Sequence, residues 1–297
     1  MLRSVITPWL FIAVAGAFPA GAQMVNPDHL IVTPRQLSER LHDKDLVILQ
    51  IGPEPAYRAA HIANAQFLKL ADISTPFSPG TLNLEMPDEA TLRANLERYG
   101  ISDRSHVVVV FDTAWVSPAT RVVLTLEYAG LGERVAMLDG GISAWKRAGL
   151  PVTADTSPVP APGRITTKFV PGLIVDYAYV QAHRDAVHAR VLDARDTSFY
   201  TGPAQANRSA GHIPGARSLP FTSFHDDNNV WLSKAAIERK FRAVGVEPGD
   251  TVVAYCHVGQ QATVVIVAAQ LTGHPARLYD GSFQDWTMRK LPTEGGH

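Results

Sequence analysis

Short apolar runs alternate along the chain with stretches of helical period, and the same order of them occurs twice. In the first half, residues 45–51 read as a strand and 92–99 as a helix closing at Gly100. Residues 106–111, His-Val-Val-Val-Val-Phe, read as a buried strand running into Asp112. A helix is predicted over 121–129, stopping at Gly130, then a strand over 134–138, and Asp139-Gly-Gly-Ile-Ser-Ala-Trp145 opens a last helix. The second half repeats the series with a strand at 190–194, a helix at 235–244 and a strand at 251–255. An apolar helix after Ala262 closes at Gly273, a strand covers 276–279, and Asp280-Gly-Ser-Phe-Gln-Asp-Trp286 echoes the earlier segment. Ala60-His-Ile-Ala-Asn-Ala65 likewise matches Gly211-His-Ile-Pro-Gly-Ala216.

Strands alternating with helices predict parallel sheets flanked by helices, so the fold class is α/β with two tandem domains. The boundaries fall at 24–152 for the first domain, 153–163 for a Pro-rich, extended linker, and 164–297 for the second. The first residues break the pattern. A basic start at Met1-Leu-Arg3, an apolar stretch over 9–18 too short to span a bilayer, and Ala20-Gly-Ala22 read as a signal peptide over 1–22. A buried N-terminal helix is the competing reading. Export to a bacterial periplasm is expected, with no stable membrane anchor after cleavage. Composition agrees with a globular chain: 46% hydrophobic, 19% charged, net charge −1. That balance argues against nucleic acid or an anionic membrane as a main partner.

Candidate chemistry centres on the single cysteine, Cys256. A lone cysteine cannot form an internal disulfide, so it is either an inert small hydrophobe or kept for reactivity. Its context favours the second. Cys256 follows a predicted strand, and His257, Val258, Gly259, Gln260 and Gln261 form a tight loop, closed by Ala262, before the next helix. Backbone N–H groups of the loop and the positive helix end together make an anion cradle, which favours the attacking thiolate. A cysteine phosphatase uses a similar strand–loop–helix but needs a loop arginine to hold phosphate. This loop has none, so a smaller sulfur-centred anion suits it better. Asp112 occupies the equivalent place in the first half, where no sulfur can be carried.

These residues resemble the tandem-domain rhodaneses, sulfurtransferases acting on thiosulfate or 3-mercaptopyruvate. The resemblance rests on Asp193-Ala-Arg195, Gly211–Ala216, Tyr255-Cys256-x-x-Gly259 ending at Ala262, and the two Asp-Gly…Trp segments. It covers about residues 26–292 and implies an inactive first domain with Asp112 in place of cysteine. It implies a Cys256 persulfide formed from a small sulfur-containing anion and emptied onto cyanide or a thiol, with no metal or organic cofactor. By the same resemblance, Arg195 and Arg208 bind the donor's anionic group. Alternatively, Arg195 pairs with Asp193 or Asp196, and Arg208 is a solvated loop charge. Asp193 reads as a structural hydrogen-bonding residue and His212 as a packed turn histidine. The loop Cys-His-Val-Gly-Gln-Gln matches neither the basic loop of thiosulfate enzymes nor the small-residue loop of mercaptopyruvate enzymes. Glu85 stands near where the latter place a histidine. Thiosulfate is therefore the expected donor. A sulfane-sulfur carrier or binding module without turnover is the alternative from a different class, and redox sensing at Cys256 a third.

Overall fold

The computed structural model describes residues 29–112, 115–202 and 211–295. The expected signal segment, residues 1–22, and Arg208 lie outside the described residues. The first half contains, in order, β1 (Ile31–Val32), α1 (Pro34–Ser38), β2 (Leu46–Ile51), α2 (Glu54–Ala59), β3 (Gln66–Phe67), α3 (Glu89–Arg98), β4 (His106–Phe111), α4 (Ser117–Leu126), β5 (Val135–Leu138) and α5 (Gly141–Arg147). The second contains β6 (Ile174–Val175), α6 (Tyr177–His183), β7 (Ala189–Asp193), α7 (Thr197–Thr201), β8 (Arg217–Ser218), α8 (Lys234–Ala243), β9 (Thr251–Tyr255), α9 (Ala262–Leu271), β10 (Ala276–Tyr279) and α10 (Ser282–Met288). Each half builds a five-stranded sheet, in the orders β1-β5-β4-β2-β3 and β6-β10-β9-β7-β8. These orders are the same when the second set is matched to the first, and all the strand pairs are parallel. The duplication read from the sequence is a duplication of topology.

β4 and β9 sit at the centre of their sheets, as their unbroken apolar runs require of strands covered on both faces. Register places Ile51 beside Phe111 and Asp193 beside Tyr255. β9 therefore delivers Cys256 at the carboxyl edge of its sheet, the edge where open α/β sheets bind ligands.

α9 reads Ala-Thr-Val-Val-Ile-Val-Ala-Ala-Gln-Leu, apolar all round, and every one of its residues is buried. A helix covering one face of one sheet would keep a polar stripe; this one lies between the two domains. α4 is its partner, buried from Ala119 to Leu126. A single cluster of buried side chains runs from Leu49 and Val109 of the first sheet through both helices to Val252 and Leu278 of the second. Val264, Val265, Ile266, Val267 and Leu271 contribute on the order of 2 kcal/mol each on burial. The polar pairs across the same interface are worth about 1 kcal/mol each. Apolar packing holds the halves together, and the polar pairs set their register.

Element ends follow local chemistry. α9 closes with Gly273 at φ 79°, its N–H bonding Gln270 O at 3.0 Å while His274 N–H reaches Ala269 O at 2.9 Å, a Schellman end. α4 begins at Ser117, four residues before the expected start at 121, because Pro118 occupies the first turn, where its missing N–H costs nothing. α4 then ends in a π-type turn, Glu127–Leu131, with Gly130 at φ 84°. Residues 153–163 contain no helix, and the segment is tied to the first domain from Gly163 onward, where the Gly163 N–H bonds Glu97 O at 2.7 Å. Arg164 N–H bonds Ser102, Ile165 N–H bonds Glu97, and Val170 N–H bonds Tyr128. Residues 164–170, assigned above to the second domain, thus lie along the first. Among the described residues no helix is long and apolar enough to cross a membrane.

Burial makes one interface residue pH-sensitive. Glu127 is 2% exposed, and desolvation pushes its carboxyl up to about 7, against the opposing Gln270 hydrogen bond. The folded state therefore holds this proton more tightly than the unfolded chain, whose value is 4.5. Stability is highest below pH 4.5 as far as this group is concerned and falls as pH rises to about 7. Glu127→Gln should gain about 2–3 kcal/mol over the native protein at pH 8 relative to its effect at pH 5. Urea unfolding at the two pH values measures it, and equal effects at both would show that Glu127 does not bury a charge.

Candidate active site

Cys256 is 1% exposed and sits between β9 and the turn that leads to α9. Its backbone is fixed from the start of α10. Cys256 N–H donates to Ser282 Oγ at 3.1 Å, and the Ser282 hydroxyl donates to Tyr279 O at 2.8 Å. Phe283 N–H and Gln284 N–H bond the carbonyls of Cys256 and His257, each at 3.0 Å. Ser282 holds φ 53°, a left-handed conformation that serine adopts at a cost of roughly 1 kcal/mol or more. The equivalent in the first domain is Gly141, at φ 57°. Serine stands in this glycine-like position because its hydroxyl anchors the cysteine. Sequence reasoning passed over Ser282; the contrast between Asp139-Gly-Gly and Asp280-Gly-Ser was the available signal.

The loop after Cys256 is an open cradle. Among the described residues, none accepts a hydrogen bond from the backbone N–H groups of His257 through Ala262. Gly259 takes φ 81°, and a Cβ there would come 2.5 Å from Asp280 O, so only glycine fits. Ala262 is the first residue of α9, which begins without a side-chain cap. Uncapped N–H groups at a helix start are the groups that bind anions.

The first domain braces this loop. Gln260 Nε2 donates to Ser117 Oγ at 3.1 Å, the hydroxyls of Thr120 and Thr263 lie 2.7 Å apart, and Gln270 Nε2 donates to Glu127 Oε2 at 2.7 Å. Each pair is separated by 143 residues. A constant separation means that α4 and α9 run side by side in one direction, so both positive helix ends meet at the loop. Arg121, on α4 and fully buried, forms an ion pair with Asp280. It also donates to Gly259 O at 3.3 Å and to Leu84 O at 2.6 Å. Asp280 accepts in turn from Met86 N–H at 2.7 Å. The half without a cysteine thus clamps the loop, a role that no motif in it announced.

Of the other expected residues, Arg195 is fully buried and ion-paired with Asp193, with Nε 2.9 Å from Asp193 Oδ1 and Nη2 2.6 Å from Gly211 O. Its guanidinium stacks 4.0 Å from the Phe283 ring centroid. Burial opposes its charge, but the Asp193 hydrogen bonds, with the nearby Tyr255 and Cys256, hold it charged more firmly than usual. Asp193 also accepts from Tyr255 OH at 2.7 Å, which fits its structural reading. His212 is a packed turn residue, stacked on Tyr200 at 3.7 Å. His257 packs edge-on against Phe199 at 4.6 Å, and burial followed by the Arg195 charge pushes its pKa down. It is therefore neutral at physiological pH and adds no cation to the loop. Asp112 stands at the end of β4, in the place that Cys256 takes after β9. Glu85 lies apart from the loop in a cleft with Asp285 and Arg289, its carboxyl pushed up by burial and then by Asp280 and Asp285.

A groove lies beside the loop, with walls from both halves. It measures about 740 Å³ and is lined by Phe77, Thr81 and Asn83 from one half and His257, Val258 and Gln284 from the other. Asn83 N–H bonds Gln284 Oε1 at 2.9 Å across it.

The family model described as Rhodanese-like domain matches residues 33–148 and 176–289. The chain belongs to the rhodanese family. A Pseudomonas aeruginosa protein named "Probable 3-mercaptopyruvate sulfurtransferase" is 33% identical over 269 residues, covering 86% of this chain and 94% of that protein. The Gallus gallus thiosulfate sulfurtransferase is 28% identical over 239 residues, covering 80% and 81%. The crystal structure of the 3-mercaptopyruvate sulfotransferase SseA from Escherichia coli superposes with a TM-score of 0.74 at 24% identity, over 86% of this chain and 98% of that one. This rhodanese is accordingly a sulfurtransferase of the thiosulfate/3-mercaptopyruvate type, with two tandem domains.

Proposed function

We propose that Cys256 is the sulfur-accepting nucleophile and that thiosulfate is the donor. The observation that carries this reading is the open cradle of N–H groups from His257 to Ala262, set at the adjoining positive ends of α4 and α9. The thiolate attacks the outer sulfur of thiosulfate; an S–S bond forms to Cys256 while sulfite leaves with the electron pair of the broken S–S bond. The persulfide anion remains in the cradle, whose donors serve the negative sulfur in both states. Cyanide or a thiolate then takes the outer sulfur, and Cys256 returns as thiolate. Sulfite departs without needing a proton, whereas pyruvate leaving from 3-mercaptopyruvate must be protonated at carbon. His257, buried and neutral beside Arg195, is a poor source of that proton, which favours thiosulfate. Arg195, tied to Asp193, adds positive field beneath the loop, and Arg208 is the expected direct partner of the donor's sulfonate. Residues 1–22 are proposed to direct export to a periplasm; N-terminal sequencing of the secreted protein should begin after Ala22.

Intact-mass measurement of the purified protein tests the donor. Thiosulfate should add one sulfur atom, and cyanide should remove it with release of thiocyanate over many cycles. A sulfur gained from 3-mercaptopyruvate but not from thiosulfate would keep the persulfide and replace the donor. One stoichiometric transfer without turnover would make the protein a sulfur carrier.

A further inference from the structure

Each sheet reverses its strand order once. In the first, β2 leads outward to β3 while β4 leads the other way to β5, so the reversal lies between β2 and β4. In the second it lies between β7 and β9. Open α/β sheets bind ligands in the crevice beyond the carboxyl ends of the strands at such a point. Cys256, which follows β9, takes that place in the second half. The first half has no cysteine there, but it keeps the crevice.

That crevice is an open pocket of about 640 Å³. Ile51 enters it from the end of β2, Phe67 and Leu70 from β3 and just beyond it, and Trp115 and Pro118 from the connection between β4 and α4. The pocket exists because one large side chain is missing. Leu68 N–H bonds Gln50 O as Leu219 N–H bonds Asp193 O, each at 2.9 Å, so Gly52 is the counterpart of Arg195. Arg195 carries a fully buried guanidinium, whereas Gly52 carries nothing. A Cβ at Gly52, which holds φ 148°, would lie 2.8 Å from Asp112 Cβ, so the ends of β2 and β4 meet too closely for a side chain.

Trp115 stands at this pocket with 55% of its surface exposed. Its ring stacks on Phe221 of the second half, with centroids 6.3 Å apart, so the exposed indole is held in place. A fixed aromatic surface left in water is surface that a ligand can cover with a gain in free energy. The charged groups lining the pocket are Glu54, Lys69 and Asp112. Glu54 pairs with Arg58 at 2.5 Å and with Lys69 at 3.8 Å, and Asp112 also interacts within the protein. None of the three is free to match a charge on a ligand.

We propose that this pocket of the first domain binds an uncharged aromatic molecule of two fused rings, packed against Trp115 and Phe67. A closed apolar cavity of about 150 Å³ holds benzene, so this larger, open pocket takes a larger ring system. Binding there does not depend on the role of Cys256.

Calorimetric titration of the full-length protein with 2-naphthol at pH 7 should show one saturable site per chain. The anion 2-naphthoate should displace the naphthol only at concentrations at least about tenfold higher, because burying its charge is costly. Trp115→Ala should weaken naphthol binding at least about tenfold, and Trp115→Phe should restore most of it. The exposure of Trp115 means that neither change threatens the fold. Cys256→Ser should bind the naphthol as the native protein does. No saturable binding, equal affinity in the Trp115→Ala protein, naphthoate binding as tightly as naphthol, or loss of binding in the Cys256→Ser protein would each overturn the proposal. Sulfur loading of Cys256 is read separately by mass, so either reading can fail alone.

Discussion

Cys256→Ser should abolish sulfur transfer, lowering turnover by at least about 10⁴-fold, the scale of loss when a covalent nucleophile is removed. A serine hydroxyl is far harder to ionise and carries no sulfur that could become a persulfide. The fold should survive. Serine keeps the side chain's size, and the bonds that position residue 256, to Ser282 Oγ and from Phe283 N–H, are made by its backbone. Burying a hydroxyl in place of the thiol costs about 1–2 kcal/mol. The measurement pairs thiocyanate release with a circular dichroism melt. Substantial turnover in a folded Cys256→Ser protein would remove Cys256 from the reaction.

Arg121→Leu should destabilise the protein by about 3–5 kcal/mol, although Arg121 belongs to the half that carries no cysteine. The ion pair with Asp280 is buried on both sides, with side-chain exposures of 0% and 8%. Removing the guanidinium leaves the Asp280 carboxylate in the interface with its Met86 N–H bond, and leaves Leu84 O and Gly259 O without their donor. Gly259 lies three residues after Cys256, so the cradle loses a fixed point as well. Sulfur transfer per folded molecule should drop by roughly tenfold or more, since misplacing catalytic groups is costly. Chemical unfolding gives the first quantity, and turnover measured below the unfolding transition gives the second. Unchanged turnover would mean that Ser117 and Thr120 suffice to hold the loop.

Much of this molecule could be read before any coordinates. Strands 251–255 and 276–279 fall where their apolar runs place them, and Gly100 and Gly273 follow helix ends as expected. Such features are local: a period of two or 3.6, a cap, or a turn is decided within a few residues. The loop from Cys256 to Ala262 was legible for the same reason, because strand, turn glycine and helix start are contiguous. The early start of α4 was missed because Ser117-Pro118 reads as a loop when its packing is unknown.

The residues that complete the site were not legible. Arg121 and Asp280 are 159 positions apart, and nothing near either one says that they meet. Ser282 stands where the first half has Gly141, and only the fold brings its hydroxyl onto the Cys256 N–H. Arg195 had two open readings, and the burial of Asp193 and Tyr255 beside it determined that it pairs rather than stays exposed. By itself the sequence determined the duplication, the parallel order of each half and the cysteine loop, since local periodicity and capping encode them. Only the tertiary structure decided that α4 and α9 lie parallel, joining one half's clamp to the other's cysteine and burying Glu127. Side-chain packing across more than a hundred residues sets those contacts, and no local pattern records it.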